Sequence, residues 1–327
     1  MSPAAVAVYN WDLSEVRFDP ATGRKVIYAP ARARRPSDYR TDLREIVETR
    51  ACPFCPGNER ETTKEVFALR DSGAPDEPGW RVRVVPNRYP ALTPPQGFHE
   101  VIIESPVHGE RWSTAPLRRI EEALEAWQER LRRLSREPGI RGAVIFKNHG
   151  WRAGATRVHP HSQLMALPFI PPQLDYELQA APAAGPCPWC RGLENAAGRV
   201  VFENGGYAAV APEASRQAYE VWLLPKEHAS RFEEIRDLAG LAGALQRLWR
   251  CVESALHQPA VNAMLMTAPL DAAAPHYHWR LEILPRLGTI AGFEWATGCY
   301  INSVLPEQAA ERLRRADPDS VPPGEAG

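Results

Sequence analysis

The 327-residue chain has almost no net charge, few cysteines and no long apolar run, and each shortage narrows what it can do. Lys and Arg number 39 against 40 Asp and Glu, a formal charge of -1. Nothing in that balance calls for a nucleic acid or an acidic membrane surface, so any anionic ligand must be held by a local cluster. No stretch is apolar for the roughly 20 residues a bilayer-crossing helix needs. Met1 to Trp11 lacks the basic and then continuously apolar pattern of a signal peptide. The expectation is a cytoplasmic chain with no membrane partner. Of the six cysteines, Cys251 and Cys299 are isolated. The others form two CxxC pairs, Cys52/Cys55 and Cys187/Cys190, which in a reducing compartment read as metal ligands or redox centres rather than disulfides. What the chain has in quantity is proline, 32 residues, which argues for many fixed turns.

The order of segments repeats. The first half runs CPFCPGNE (52–59), VRVVPNRYPAL (82–92), FHEVIIESPVHGERW (98–112), a helix, GAVIFKNHG (142–150) and VHPHSQLMALP (158–168). The second runs CPWCRGLE (187–194), YAAVAPEAS (207–215), AYEVWLLPKEHASRF (218–232), a helix, AVNAMLMTAP (260–269) and PHYHWRLEILP (275–285). Leu117, Ile120, Leu124, Trp127, Leu131 and Leu134 make one helical stripe, and Leu238, Leu241, Leu245, Leu248, Val252 and Leu256 make another. Ser113 or Thr114 is placed to cap the first, with Pro116 near its first turn. EVIIES and EVWLLP are short β-rich runs. One helix per half among runs of strands predicts an α+β fold with mainly antiparallel sheet. The expected units are 1–176 and 177–312, joined by a connector near 171–186. Residues 313–327 show no apolar face and are expected to be a disordered tail.

A CxxC turn offers two thiolates, and two imidazoles from elsewhere would complete a tetrahedral zinc site. Cys52, Cys55, His108 and His159 are one candidate set, and Cys187, Cys190, His228 and His276 the other. Closed four-ligand sites are structural rather than catalytic, so two structural zinc ions per chain are expected. In HPHSQ (159–163), alternate residues of a strand share a side, which puts His161 and Gln163 together beside the metal set. A neutral imidazole is a competent nucleophile toward phosphorus, and an amide can donate to a phosphate oxygen as charge develops. Chemistry alone leaves His161 open between a nucleophile, a third metal ligand and a core histidine. His99, His149 and His257 have no evident partner in the sequence.

HPHSQ, together with CPFCPGNE, RARRP (32–36), NRYPAL (87–92) and TGCYIN (297–302), resembles the galactose-1-phosphate uridylyltransferases, the transferase branch of the histidine triad superfamily. The resemblance runs from about Asp19 to Arg314. It implies two histidine-triad-like halves in one subunit, a homodimer with active sites between subunits, and a nucleotide sugar and a hexose 1-phosphate as substrates. His161 then matches the nucleophile that becomes uridylylated, and Gln163 the glutamine that holds the phosphoryl oxygens. Asn148 matches an asparagine whose backbone orients the nucleophile. Arg32 and Arg35 match arginines near the phosphates. Asn87 and Arg88 fall where the family uses Asn-Asp to hold the ribose, Phe54 and Tyr89 where apolar side chains sandwich the base, and Thr156 where a serine helps the phosphate. The stretch GFEWATGCYIN (292–302) is closer to the branch that includes plant ADP-glucose phosphorylases. The second half carries HYHW, with His278 at the nucleophile's counterpart and no glutamine after it, which implies a catalytically silent half.

The expected activity is ping-pong transfer of UMP between UDP-glucose and a hexose 1-phosphate. Phosphorolysis of ADP-glucose is the close alternative. A hydrolase is disfavoured, because the smaller histidine-triad proteins carry a longer run of alternating histidines. A zinc-stabilised binding protein is disfavoured by the lack of a basic-aromatic patch.

Overall fold

The strands follow from the period-two runs and the helices from the two apolar stripes. The computed structural model describes residues 14–34, 51–181 and 186–317. In chain order, β1 (Glu15–Phe18) and β2 (Lys25–Tyr28) lead to β3 (Phe67–Arg70), β4 (Trp80–Pro86), β5 (Phe98–Ile103), α1 (Leu117–Leu134), β6 (Gly142–His149) and β7 (His161–Leu167). Then come α2 (Pro172–Ala180), α3 (Pro188–Glu194), β8 (Val200–Glu203), β9 (Tyr207–Val210), β10 (Val221–Pro225), α4 (Leu238–Leu256), β11 (Val261–Met266) and β12 (Arg280–Pro285). The chain closes with α5 (Gly292–Thr297), β13 (Tyr300–Asn302) and α6 (Pro306–Arg315).

One ten-stranded sheet carries both halves, in the order β3-β4-β5-β7-β6-β11-β12-β10-β9-β8. Read outward from its centre, each half has the same order, so the sequence repeat is a structural repeat about an axis between β6 and β11. Those two strands pair antiparallel with Asn148 opposite Asn262. Asn262 Nδ2 donates to Asn148 Oδ1 at 2.8 Å and to the Ala153 carbonyl at 2.8 Å, tying the halves at the axis. Neighbouring strands in this sheet are antiparallel throughout, as the α+β reading expected. A smaller sheet, β1-β2-β13, carries one parallel pair, β2 with β13.

Both long helices lie against one face of the large sheet. Ile120, Leu124 and Trp127 of α1 and Leu241, Leu245 and Trp249 of α4 share one core with Val84, Ile102, Leu164, Leu223 and Leu281 of the strands. Burial of side chains this size contributes about 1.5–3 kcal/mol each. Strand alternation then decides the site. On β7, Leu164 and Ala166 enter that core and Ser162 accepts from Trp127 Nε1 at 2.8 Å, which sends His161 and Gln163 to the opposite face.

Three local expectations are corrected. Neither Ser113 nor Thr114 caps α1; its N-cap is Pro116, with no side-chain bond. The 176/177 boundary falls inside α2, where Leu174 and Glu177 are buried. The tail does not begin at 313: α6 runs to Arg315, Leu313 is fully buried, and Asp317 accepts from Arg247 at 2.6 Å. Pro306, Ala309, Ala310 and Leu313, all buried, supply a short i, i+3, i+4, i+7 stripe that the surrounding charge obscures. Among the described residues, no helix is long and apolar enough to cross a membrane.

Candidate active site

Two Cys/His clusters flank the sheet. Cys52, Cys55, His108 and His159 gather their donor atoms within 4.8 Å of one another, and so do Cys187, Cys190, His228 and His278. Cys55 Sγ lies 3.5 Å from His108 Nδ1 and 3.6 Å from His159 Nδ1. Cys190 Sγ lies 3.5 Å from the Nδ1 atoms of both His228 and His278. Zinc bond lengths and a tetrahedral angle give a sulfur-to-nitrogen separation of about 3.6 Å, so both donor sets fit that ion. The far ring nitrogens are held. His159 Nε2 donates to the Ser105 carbonyl at 2.7 Å, His228 Nε2 to Pro275 at 2.7 Å and His278 Nε2 to Pro225 at 3.0 Å. Such bonds turn each Nδ1 toward a metal. Burial, and next the Cys187 thiol, pushes the Cys190 thiol up to about 12; a divalent cation is what allows such packed thiols to ionise.

His276 is not in the second cluster, contrary to the sequence expectation; His278 takes its place. The reason is register. His159 stands two residues before β7, and His278 stands two residues before β12. Matching the first histidine of HYH to the first of HPH shifts the alignment by two. With the register set, the counterpart of His161 is Arg280 rather than His278, and that of Gln163 is Glu282.

The face of the first half opposite the helices holds a cavity of about 570 Å³. Phe54, Asn87, Arg88, Tyr89, Thr156, His161 and Gln163 all line it. His161 Nδ1 lies 2.8 Å from the carbonyl of His159, which places the proton on Nδ1 and leaves Nε2 with its lone pair. Burial pushes His161 down to about 4, against the pull of that carbonyl, with Lys147 adding to the lowering. The ring is therefore neutral at neutral pH. Beneath it, Lys147 donates to Glu104 at 2.5 Å and reaches the His161 carbonyl at 3.4 Å. Phe54 meets the His161 ring edge-on, 5.4 Å between centroids, while Tyr89 stands 82% exposed at the mouth.

Other candidates fall differently. Asn148 lies in β6, and the bond to His161 Nδ1 is made by His159 instead. Arg32 is exposed on the 3-10 turn Pro30–Arg34, and Arg35 lies outside the described residues. Two charged lining residues were not anticipated. Arg157 is half-buried in the cavity wall with no hydrogen bond or ion pair among the described residues, and Glu61 is the one carboxylate of the lining. Outside the lining, His99 touches Gln163 from behind: His99 Nε2 is 2.9 Å from Gln163 Oε1. Its sequence signal was faint, an alternation with Val101 on a strand whose partner was not yet known.

The second half fills the corresponding position with charge. Arg280, fully buried, donates to Glu177 at 2.7 Å and to Glu282 at 2.9 Å. Arg24 donates to Glu282 at 2.9 Å and to Glu220 at 3.2 Å, and Arg216 bridges the same two carboxylates at 2.5 and 2.8 Å. The Trp222 ring covers the Arg280 guanidinium, 4.8 Å from its centroid.

A neutral imidazole in a cavity of about 570 Å³ lined by both polar and apolar side chains, on a duplicated α+β sheet, fits a nucleotidyltransferase-type enzyme. Residues 82–171 match the model of the galactose-1-phosphate uridyl transferase N-terminal domain. The chain is 36% identical to ADP-glucose phosphorylase of Arabidopsis thaliana, over 92% of each chain. It is 27% identical to galactose-1-phosphate uridylyltransferase of Thermotoga maritima, over 93% of this chain and 99% of the other. Its fold superposes on an Arabidopsis ADP-glucose phosphorylase structure with bound ADP-glucose at a TM-score of 0.84, with 36% identity over 92% of this chain and 99% of that one. The chain belongs to the galactose-1-phosphate uridylyltransferase family.

Proposed function

We propose that this enzyme carries a nucleoside monophosphate on His161 between a nucleotide sugar and a phosphate-bearing acceptor. The observation that carries the reading is the pairing of a neutral His161, whose Nε2 has no partner among the described residues, with Gln163 in one cavity wall. Nε2 attacks the phosphorus next to the nucleoside. A P–N bond forms, the P–O bond to the sugar phosphate breaks, and the sugar 1-phosphate leaves with the electron pair. An acceptor phosphate oxygen then attacks the same phosphorus and the P–N bond breaks, returning the lone pair to His161. Positioning and charge stabilisation supply most of the catalysis in such transfers. Gln163 offers donors to the phosphoryl oxygens, while Arg88 and Arg157 offer cations at the wall. Phe54 and Tyr89 offer apolar surface to a base.

The 36% match to ADP-glucose phosphorylase, against 27% to a uridylyltransferase, favours ADP-glucose as donor and inorganic phosphate as acceptor. UDP-glucose with a hexose 1-phosphate is the second reading, supported by the N-terminal family match. Incubation with ADP-glucose or UDP-glucose, each labelled at the phosphorus next to the nucleoside, decides between them. Label on His161 from one donor alone names the nucleotide; label from neither overturns the covalent reading. Zinc in both Cys/His clusters would brace the CxxC turns, and so Phe54, against the sheet; it takes no part in the transfer. A homodimer fits Trp295, left 77% exposed on α5, since surface aromatics of that size favour interfaces. A monomeric mass by sedimentation would remove that part of the reading.

A further inference from the structure

The Gln163 amide must present its NH2 group, not its oxygen, to a phosphate, and the loop at residues 87–91 settles which end faces the cavity. The backbone N–H of Ala91 lies 3.1 Å from His99 Nδ1. A backbone amide has only a proton to give, so Nδ1 is the acceptor and the ring proton sits on Nε2. That Nε2–H points at Gln163 Oε1, 2.9 Å away. Asn87 Nδ2 lies 3.2 Å from that same ring nitrogen, which carries a proton and so cannot accept from it, and 3.5 Å from Gln163 Oε1, which can. Asn87 is itself oriented, because its Oδ1 accepts from the Tyr89 backbone N–H at 2.9 Å. Two donors converge on the Gln163 carbonyl, and its NH2 group is left for the cavity. Turned over, the amide would set its oxygen against an anionic phosphate and two protons against each other.

We infer that His99 is a positioning residue, which holds Gln163 with its amide protons toward the reacting phosphate, and that the Ala91 N–H sets the tautomer that lets it do so. This rests on the reading of His161 as nucleotidyl carrier. His99 itself stands behind Gln163, outside the cavity lining, and acts through it.

The test is a double-mutant cycle read by single-turnover labelling of His161 and by steady-state kcat and KM. His99→Phe keeps the ring's bulk and removes both bonds. It should lower the labelling rate and kcat by roughly tenfold to a hundredfold, the range for residues that orient a reacting group, with KM nearly unchanged. His99→Gln restores a donor near the Nε2 position and should recover most of the rate, which a merely structural role would not predict. In a Gln163→Ala background His99→Phe should add little further loss. An equal penalty with and without Gln163 would overturn the positioning role alone. A Gln163→Ala enzyme at the wild-type rate would remove Gln163 from the phosphate, and the functional reading of that residue with it.

Discussion

Arg280 stands on β12 where His161 stands on β7, each the first residue of its strand and two past a metal-cluster histidine. The second half keeps the fold and carries a guanidinium where the first carries the imidazole proposed as the carrier. Glu282 follows where Gln163 would be, and Arg24, Arg216, Glu177 and Glu220 close the network. Three cations meet three carboxylates, so the buried cluster is neutral within itself.

That network predicts a stability effect without a chemical one. Arg280→Ala would leave Glu177 and Glu282 buried and short of a cation, a loss of about 3–5 kcal/mol, while labelling of His161 per folded molecule stays the same. Denaturant unfolding beside a labelling assay checks it; unaltered stability would show the cluster to be dispensable. The pH dependence has a definite sign. Burial alone would raise Glu282, but Arg24, Arg216 and Arg280 overcome it and hold the carboxyl well below its usual range. A depressed folded pKa means stability that is fully present above the unfolded value and lost as pH falls through the folded one. Arg216→Met should therefore move acid unfolding to higher pH, as followed by melting across an acid series.

The metal register gives a sharp comparison. His278→Ala should cost one of two zinc ions per chain in elemental analysis, and His276→Ala neither. Loss of zinc from the His276 variant alone would restore the rejected ligand set. Cys187→Ser should lower the melting temperature more than it lowers activity, because metal binding contributes folding free energy and that cluster lies in the half without an imidazole carrier.

For the carrier itself, His161→Asn should abolish both turnover and covalent label while melting stays close to wild type. Label on that variant would place the nucleophile elsewhere. Gln163→Ala should retain binding and turn over slower by about two orders of magnitude, the scale of a lost charge-stabilising donor.

Arg157 lines the cavity and has no carboxylate partner among the described residues. Its guanidinium is suited to phosphate oxygens. Arg157→Gln should weaken nucleotide-sugar binding or slow label formation by at least about tenfold, the scale of a lost charge-assisted hydrogen bond. A variant with unchanged kcat/KM would assign Arg157 to the protein surface.

By itself the sequence determined the repeat, the two helical stripes, the strands at EVIIES and EVWLLP, and the pairing of Cys52/Cys55 with His108 and His159 and of Cys187/Cys190 with His228. These are local signals, readable because spacing along the chain fixes which face a side chain takes. It also placed His161 and Gln163 together, since i and i+2 share a side on any strand. Tertiary structure decided what depends on register between distant segments. HYH could be laid on HPH in two ways two residues apart, and only the start of β12 distinguishes them. Arg280 could not be recognised as the nucleophile's counterpart until Arg24, Arg216, Glu177, Glu220 and Glu282 had converged from four separate segments. His99 looked partnerless because its partners, Ala91 and Gln163, come from a loop and a neighbouring strand. Helix α6 was hidden because its few apolar residues declare a face only when α4 is there to bury it.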